Sequence, residues 1–400
     1  MRFFWCLLIS SVLILQHEVI AEAEVSGIYK SVYSWSWDYE EIFASWLGDV
    51  AADPEFFKKR NIPIDCADTV YGFRWIFARI HKLPMLTTTV DDGVISHETS
   101  NPLWSDLPTA ETWEKDVRFL TALNYILRRS WTVTLSEDSY PVSLTNLLPG
   151  AFFLNLDSSK HVDLIYKMNL TDPKEMPFEF VSSTVPREIK NTKHLVYWYE
   201  AKPKTAAEGF RRFLWPVRGT YGWEYVEPQN MPDFSTEQFQ LELGNGTFHN
   251  YVYNIVKPSM SQEALAQISL RELKLYLHER VGVVEKGYRA CNQTRRNRRY
   301  CRNTKSKLYD IWSTPSRDKR IRMHFEATRQ QISNAKLASP WQTYFLATNV
   351  FQVNSRAVNL YELSEVWSKN NFSSKPVDPP TKRWGVRGKI FGRSTIQILH

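Results

Sequence analysis

The stretch PIDCADTVYGFRWIFARIHKLPM, Pro63 to Met85, sets a cysteine between two aspartates at the point where a loop turns into a helix. Pro63 and Asp65 are helix-start signals, and Asp68 falls in the first turn, where a carboxylate is favoured. The helix is predicted from Asp65 to about Lys82, with Cys66 near its first residue. Unsatisfied backbone N–H groups and the helix dipole at that position favour a thiolate. The flanking carboxylates favour the thiol, so a reactive Cys66 requires an imidazolium close by. Cys66, Val70, Phe73, Phe77 and Ile80 also form one helical stripe, which fits a cysteine heading a buried face equally well. The spacing alone leaves both readings open.

Upstream, MRFFWCLLISSVLILQ has a basic second residue and an apolar run shorter than the roughly 20 residues of a spanning helix. Ala21 and Ala23 follow as a small-x-small cleavage pattern. Residues 1–23 are predicted to be a signal peptide, leaving a secreted or periplasmic chain with no membrane span. Cys6 leaves with that leader. Of the remaining cysteines, Cys291 and Cys301 lie in CNQTRRNRRYC and can close a short disulfide loop in an oxidising compartment. Cys66 is left unpaired.

The chain has 400 residues, 43% of them hydrophobic and 14% aromatic, with a formal net charge of +7. That length allows two or three domains, and the charge favours anionic surroundings. Residues 24–60 read as an aromatic segment entering an amphipathic helix near Asp38. Residues 61–257 read as one α+β domain. It comprises the Cys66 helix, a second helix over Glu111 to Arg129, and then strands. AFFLNL, the turn DSSK and HVDLIYKM form a hairpin, and PFEFVSSTV and HLVYWYEA are two further strands. GFRRFLWPVRGTYGWEY, Gly209 to Tyr225, reads as a structured loop lining a groove. Residues 258–367 read as a basic helical domain, and 368–400 as a Pro-rich tail with partial order.

The partner for Cys66 is sought among the histidines. His161 opens the second strand of the hairpin, after the Pro149-Gly150 turn, and a histidine at a strand edge facing the cysteine helix can deprotonate a thiol and later protonate a leaving amine. His194 opens another strand and is the fallback base. A third group would fix the ring. Glu179, Ser182 and Ser183 are available on the next strand, and Glu179 is preferred as a carboxylate able to hold an imidazolium.

DCADTVYGFRWIFA followed by LPGAFFLNL and HVDLIY resembles the NlpC/P60-type cysteine peptidases. The resemblance covers about Ile62 to Ser183. It implies a papain-like α+β core in which a helix bearing the cysteine packs on a small antiparallel sheet. It also implies Cys66 as nucleophile, His161 as base and peptide stems of bacterial cell wall as substrate. Where that family usually has Asp-Cys-Ser-Gly, this chain has Asp65-Cys66-Ala67-Asp68. A looser similarity to transglutaminase-type enzymes would make Asp172 the third residue.

The resulting expectation is a secreted cysteine hydrolase cleaving amide bonds, with Asp65, Asp68, Arg211, Arg212, Arg218 and Trp223 as substrate-binding candidates. The alternative is a catalytically inactive papain-like or transglutaminase-like protein that binds polyanionic envelope polymers. The run from Lys286 to Lys307 holds nine basic residues and no acidic one, and is the candidate polyanion surface. No HExxH, paired-cysteine zinc spacing or Gly-rich phosphate loop is present, so no metal or cofactor is expected, and nucleic acid is not an expected partner.

Overall fold

The computed structural model describes residues 27–157, 160–195, 197–198, 200–244, 247–313, 315–353, 355–386 and 396–398. The expected leader, residues 1–23, lies outside them. Three helices begin the fold: α1 (Trp37–Ala51), α2 (Cys66–His81) and α3 (Val117–Arg129). A hairpin of β1 (Leu86–Thr89) and β2 (Gly93–Ser96) follows α2. The central sheet is six-stranded and antiparallel. It is built from β3 (Ser139–Pro141), β4 (Phe152–Asn155), β5 (His161–Met168), β6 (Phe178–Ser182), β7 (Lys193–Leu195) and β8 (Gly209–Phe213), in the order β3-β8-β4-β5-β6-β7. A second hairpin, β9 (Pro216–Gly219) with β10 (Gly222–Tyr225), hangs from β8.

Alternation along the strands divides the sheet between two cores. Phe152, Leu154, Val162, Leu164, Tyr166 and Val181 join the core formed with α1, α2 and α3. Phe153, Ile165, Phe178, Phe180 and Phe210 join a second core, closed by the helix Phe248–Val256 and the start of the helix Gln262–Asn292. The molecule is thus α+β, with helices on both faces of an antiparallel sheet. Among the described residues, no helix is long and apolar enough to cross a membrane.

Helix α2 runs through the middle of the first core, and every residue from Cys66 to Ala78 is buried. An amphipathic stripe therefore understates its environment. Arg74 is accommodated by Glu40 of α1, which accepts from both guanidinium nitrogens at 2.9 and 2.6 Å, and by the Trp35 ring 3.3 Å below its centre. This contact makes α1 part of the same unit as α2 rather than a separate segment. At Pro149-Gly150 the glycine has φ +96°, and a Cβ there would meet the Phe43 ring at 2.9 Å, so the hairpin seats against α1 only with glycine.

Several elements depart from the sequence-based expectation. GFRRF is a strand inserted between β3 and β4, not a loop, because all five of its residues are buried. The helix expected from Glu111 begins at Val117, where the Asp116 side chain accepts from the Phe119 amide at 2.9 Å. Of the expected 194–201 strand, only His194 and Leu195 pair among the described residues, with Lys193 beside them. The C-terminal region is not wholly helical, since Asn349–Val353, Arg356–Asn359 and Ile396–Ile398 form a three-stranded sheet. Part of the tail packs as well: Trp384 and Val386 are buried in the third core, with the helices Gln262–Asn292 and Pro315–Asn334.

Candidate active site

Cys66 is the first residue of α2. Asp65 is its N-cap in extended conformation, and the two aspartates form a reciprocal capping box. The Asp65 carboxylate accepts from the Asp68 amide at 3.2 Å, and Asp68 accepts from the Asp65 amide at 3.0 Å. Asp68 is fully buried and ion-paired with Arg187 at 2.9 Å. Burial and the neighbouring Asp65 charge outweigh that cation and push its carboxyl up to about 8. Both aspartates, expected to bind substrate, are instead consumed in starting the helix.

With its cap made by side chains, the helix keeps its first amide free. Among the described residues no acceptor takes the Cys66 N–H. The segment after β6 then straps the helix start in place. Ile64 and Glu188 exchange backbone hydrogen bonds of 3.0 and 3.3 Å, and Arg187 donates to Asn124 at 2.8 Å. Cys66 itself is 6% exposed and unpaired, while Cys291 and Cys301 are disulfide-bonded as their spacing suggested.

His161 opens β5, with its side chain 23% exposed. Its Nε2 lies 3.0 Å from Asp163 Oδ1 and 3.1 Å from Ser182 Oγ. Ser182 in turn donates to the Val162 carbonyl at 3.2 Å. The Cys66 sulfur also acts on the ring, favouring its protonated form. Burial pulls the imidazole toward its neutral form, but the Asp163 charge and hydrogen bond, with the sulfur's contribution, more than reverse this and push it up to about 10. For Asp163 burial acts against ionisation, yet His161 and Ser182 hold its carboxyl below the usual range. A protonated ring flanked by an ionised carboxylate is the neutral-pH state of the pair.

Geometry corrects the expected approach. Val162 and Leu164 point into the α2 core, so His161 and Asp163, one strand position off, share the opposite face. Sulfur and imidazole meet at the end of the sheet rather than across the helix–sheet interface.

The third residue is corrected too. Glu179 pairs across the sheet with Lys167, six residues along β5 from His161, which is about 20 Å of strand. There it accepts from Tyr166 at 2.7 Å, Lys167 at 2.7 Å and Asn169 at 3.0 Å. Of Glu179, Ser182 and Ser183, Ser182 is the one that reaches the ring. Asp163 was missed, although an aspartate two residues beyond a strand histidine necessarily shares its face. Asp172 caps a turn through the Lys174 amide, and His194 Nε2 donates to the Ala51 carbonyl at 2.7 Å, so neither serves the site.

None of the four expected groove residues lines it. Arg211 is buried and donates to the Ser136, Ser139 and Ala206 carbonyls and, at 2.8 Å, to Ser139 Oγ. Arg212 is buried beside Asp233 at 3.3 Å. Arg218 and Trp223 sit on the β9–β10 hairpin, where Arg218 pairs with Glu98 and Trp223 packs on His97 at 4.7 Å. His97 holds the Met85 amide just beyond the C-terminal end of α2. The helix is 16 residues long, so this hairpin stands about 20 Å from Cys66. The sequence run looked like a groove because Gly, Arg and aromatics also build a buried strand with its own paired guanidiniums.

Among the described residues no cluster of His, Cys, Asp and Glu is arranged to hold a metal ion. The class of arrangement is a thiol at a helix start facing an imidazolium that a carboxylate holds. Compared with known proteins, the chain matches no family model, no curated protein and no solved structure.

Proposed function

We propose that this chain is an exported cysteine hydrolase of papain-like architecture that cleaves amide bonds, with peptide stems of bacterial cell wall as its substrate class. The observation that carries the reading is Cys66 at the head of a buried helix, acting on the charge of a His161 ring whose Nε2 lies 3.0 Å from Asp163 Oδ1. In this scheme the Cys66 sulfur attacks the amide carbonyl and the C–N bond breaks as His161 passes its proton to the leaving amine. His161 then takes a proton from water, whose oxygen displaces the sulfur from the thioester and restores the pair. The free Cys66 amide faces the developing oxyanion. Asp163 orients the ring and stabilises its charge without itself accepting the proton.

The basic segment supports a docking role beside the chemistry. Lys286, Arg295, Arg296, Arg298, Arg299, Arg302, Lys305 and Lys307 are exposed, and none has an acidic partner among the described residues. The Cys291–Cys301 bridge closes this segment. An oxidising compartment outside the cytoplasm suits that bridge, and the charge suits polyanionic envelope polymers. Replacing Arg295, Arg296, Arg298 and Arg299 by glutamine should weaken binding to such a polymer most at low salt.

The test is incubation with purified peptidoglycan, comparing the chain with Cys66→Ala and reading new termini by mass spectrometry. New amino termini that depend on Cys66 support the reading. Polymer binding without any Cys66-dependent cleavage overturns it in favour of a silent binding protein on the same scaffold, an outcome to which the small exposure of Cys66 is relevant.

A further inference from the structure

The C-terminal region sends one side chain to the sheet end where sulfur and imidazole meet. Arg320, on the helix Pro315–Asn334, pairs with Glu200 at 3.2 Å. The second Glu200 oxygen accepts from the Asn155 amide at 2.6 Å. Asn155 ends β4 directly opposite His161 in the antiparallel register. On the other side of His161 stands Asp163, on the same strand face. Glu200 and Asp163 are each more than nine-tenths buried, so this end of the sheet holds two carboxylates in an enclosed space. His161 and Arg320 are the two cations that balance them.

We infer that Arg320 is a positioning residue for the Cys66–His161 pair: by neutralising Glu200 it keeps His161 committed to Asp163 and the sulfur. The inference rests on Cys66 and His161 being the reactive pair. Two buried carboxylates facing a single imidazolium compete for it, and one of them takes up a proton or draws the ring away. With Arg320 present, Glu200 is satisfied by the guanidinium and by Asn155, and the strand end opposite the ring is fixed. Burial and the Asp163 charge both work to keep Glu200 protonated, and Arg320 is the principal group opposing them. Asp163 feels the same guanidinium. The helical region is on this account part of the catalytic unit.

The experiment is alkylation of Cys66 by iodoacetamide in the full chain at about pH 6, where ordinary thiols are largely protonated and slow. It needs no substrate. Arg320→Met should slow alkylation about tenfold, the scale of one pKa unit in the state of the pair. Arg320→Lys should restore most of the rate. Arg320→Met combined with Glu200→Gln should also recover it, because no buried carboxylate is then left unpaired. Rates for Arg320→Met within twofold of the parent overturn the inference and leave the hydrolase reading standing. So does a double variant as slow as Arg320→Met. Should Arg320→Met fail to fold, the double variant and Arg320→Lys answer the same question, near-parental rates supporting the inference and tenfold-slower ones overturning it. A parent whose Cys66 does not react at all overturns the hydrolase reading, and this inference falls with it.

Discussion

Asp163→Asn is the substitution that most directly probes the site. It keeps the shape of the side chain and a hydrogen-bond acceptor near His161 Nε2, and removes one charge 3.0 Å away. Two unit charges at that distance, at an effective dielectric constant of about 20, interact by about 5 kcal/mol. The amide recovers part of this, so a net loss of about 3 to 4 kcal/mol is expected, a fall of about two to three units in the imidazole's affinity for its proton. The ring now pushed up to about 10 would then titrate near neutrality. Catalysis at neutral pH should drop about 100-fold or more in kcat/KM, because the ring is held in neither the right charge state nor the right orientation.

The contact should also register in stability. A histidine raised on folding stabilises the fold fully below its unfolded value of about 6.5, and that contribution is lost as pH rises through the folded value. A depressed aspartate contributes above its unfolded value of about 3.9 and loses the contribution as pH falls through its folded value. Parent and Asp163→Asn should therefore differ most between about pH 4 and 6.5, and converge above about pH 10. Urea unfolding across pH measures the difference, and NMR titration of the His161 ring reads the affinity itself. A ring that titrates in the variant as it does in the parent would refute the reasoning.

Three further outcomes follow from particular contacts. Asp68 is raised on folding to about 8, so the folded chain holds an extra proton and loses stability as pH climbs from about 4 through 8. Asp68→Asn should abolish that slope, gaining on the parent at pH 9 relative to pH 5 in urea titrations, and an unchanged slope would show that the carboxyl is ionised throughout. Glu179→Gln should leave cleavage within about twofold of the parent, because its partners Tyr166, Lys167 and Asn169 lie far along β5 from the ring. A hundredfold loss would return Glu179 to the site. Cys291→Ser with Cys301→Ser opens a loop of sequence separation 10 and should cost at most about 3 kcal/mol in thermal or urea unfolding of the C-terminal region, with Cys66 alkylation unchanged.

How far the chain could be read from its residues varied with the range of the interaction. Asp65, Cys66 and Asp68 announce the start of α2 because capping is a contact among residues three apart. The hairpin of β4 and β5 was legible for the same reason, since Pro149-Gly150 and the alternating runs that follow are local signals. The 262–292 helix and the disulfide also fall in this class. Where burial reversed the usual meaning of a residue, the sequence misled. Arg211 and Arg212 read as exposed groove cations, yet they are interior groups of β8, made tolerable by carbonyls from β3 and by Asp233. Gly209–Phe213 carries no mark of its position, because a strand's place in a sheet depends on partners 70 residues away.

What the sequence determined by itself was the chemistry on offer: an unpaired cysteine at a helix start, a histidine at a strand start and an aspartate on the same strand face. These depend on caps and periodicities that act within one element. Tertiary structure alone decided that Cys66 and His161 meet at the end of the sheet, that Asp163 and Ser182 take the place expected of Glu179, and that Arg320 and Glu200 close the arrangement. The reason is physical: the charge state of a buried group is set by whichever charges the fold brings within a few ångströms, and that proximity has no trace in the order of residues along the chain.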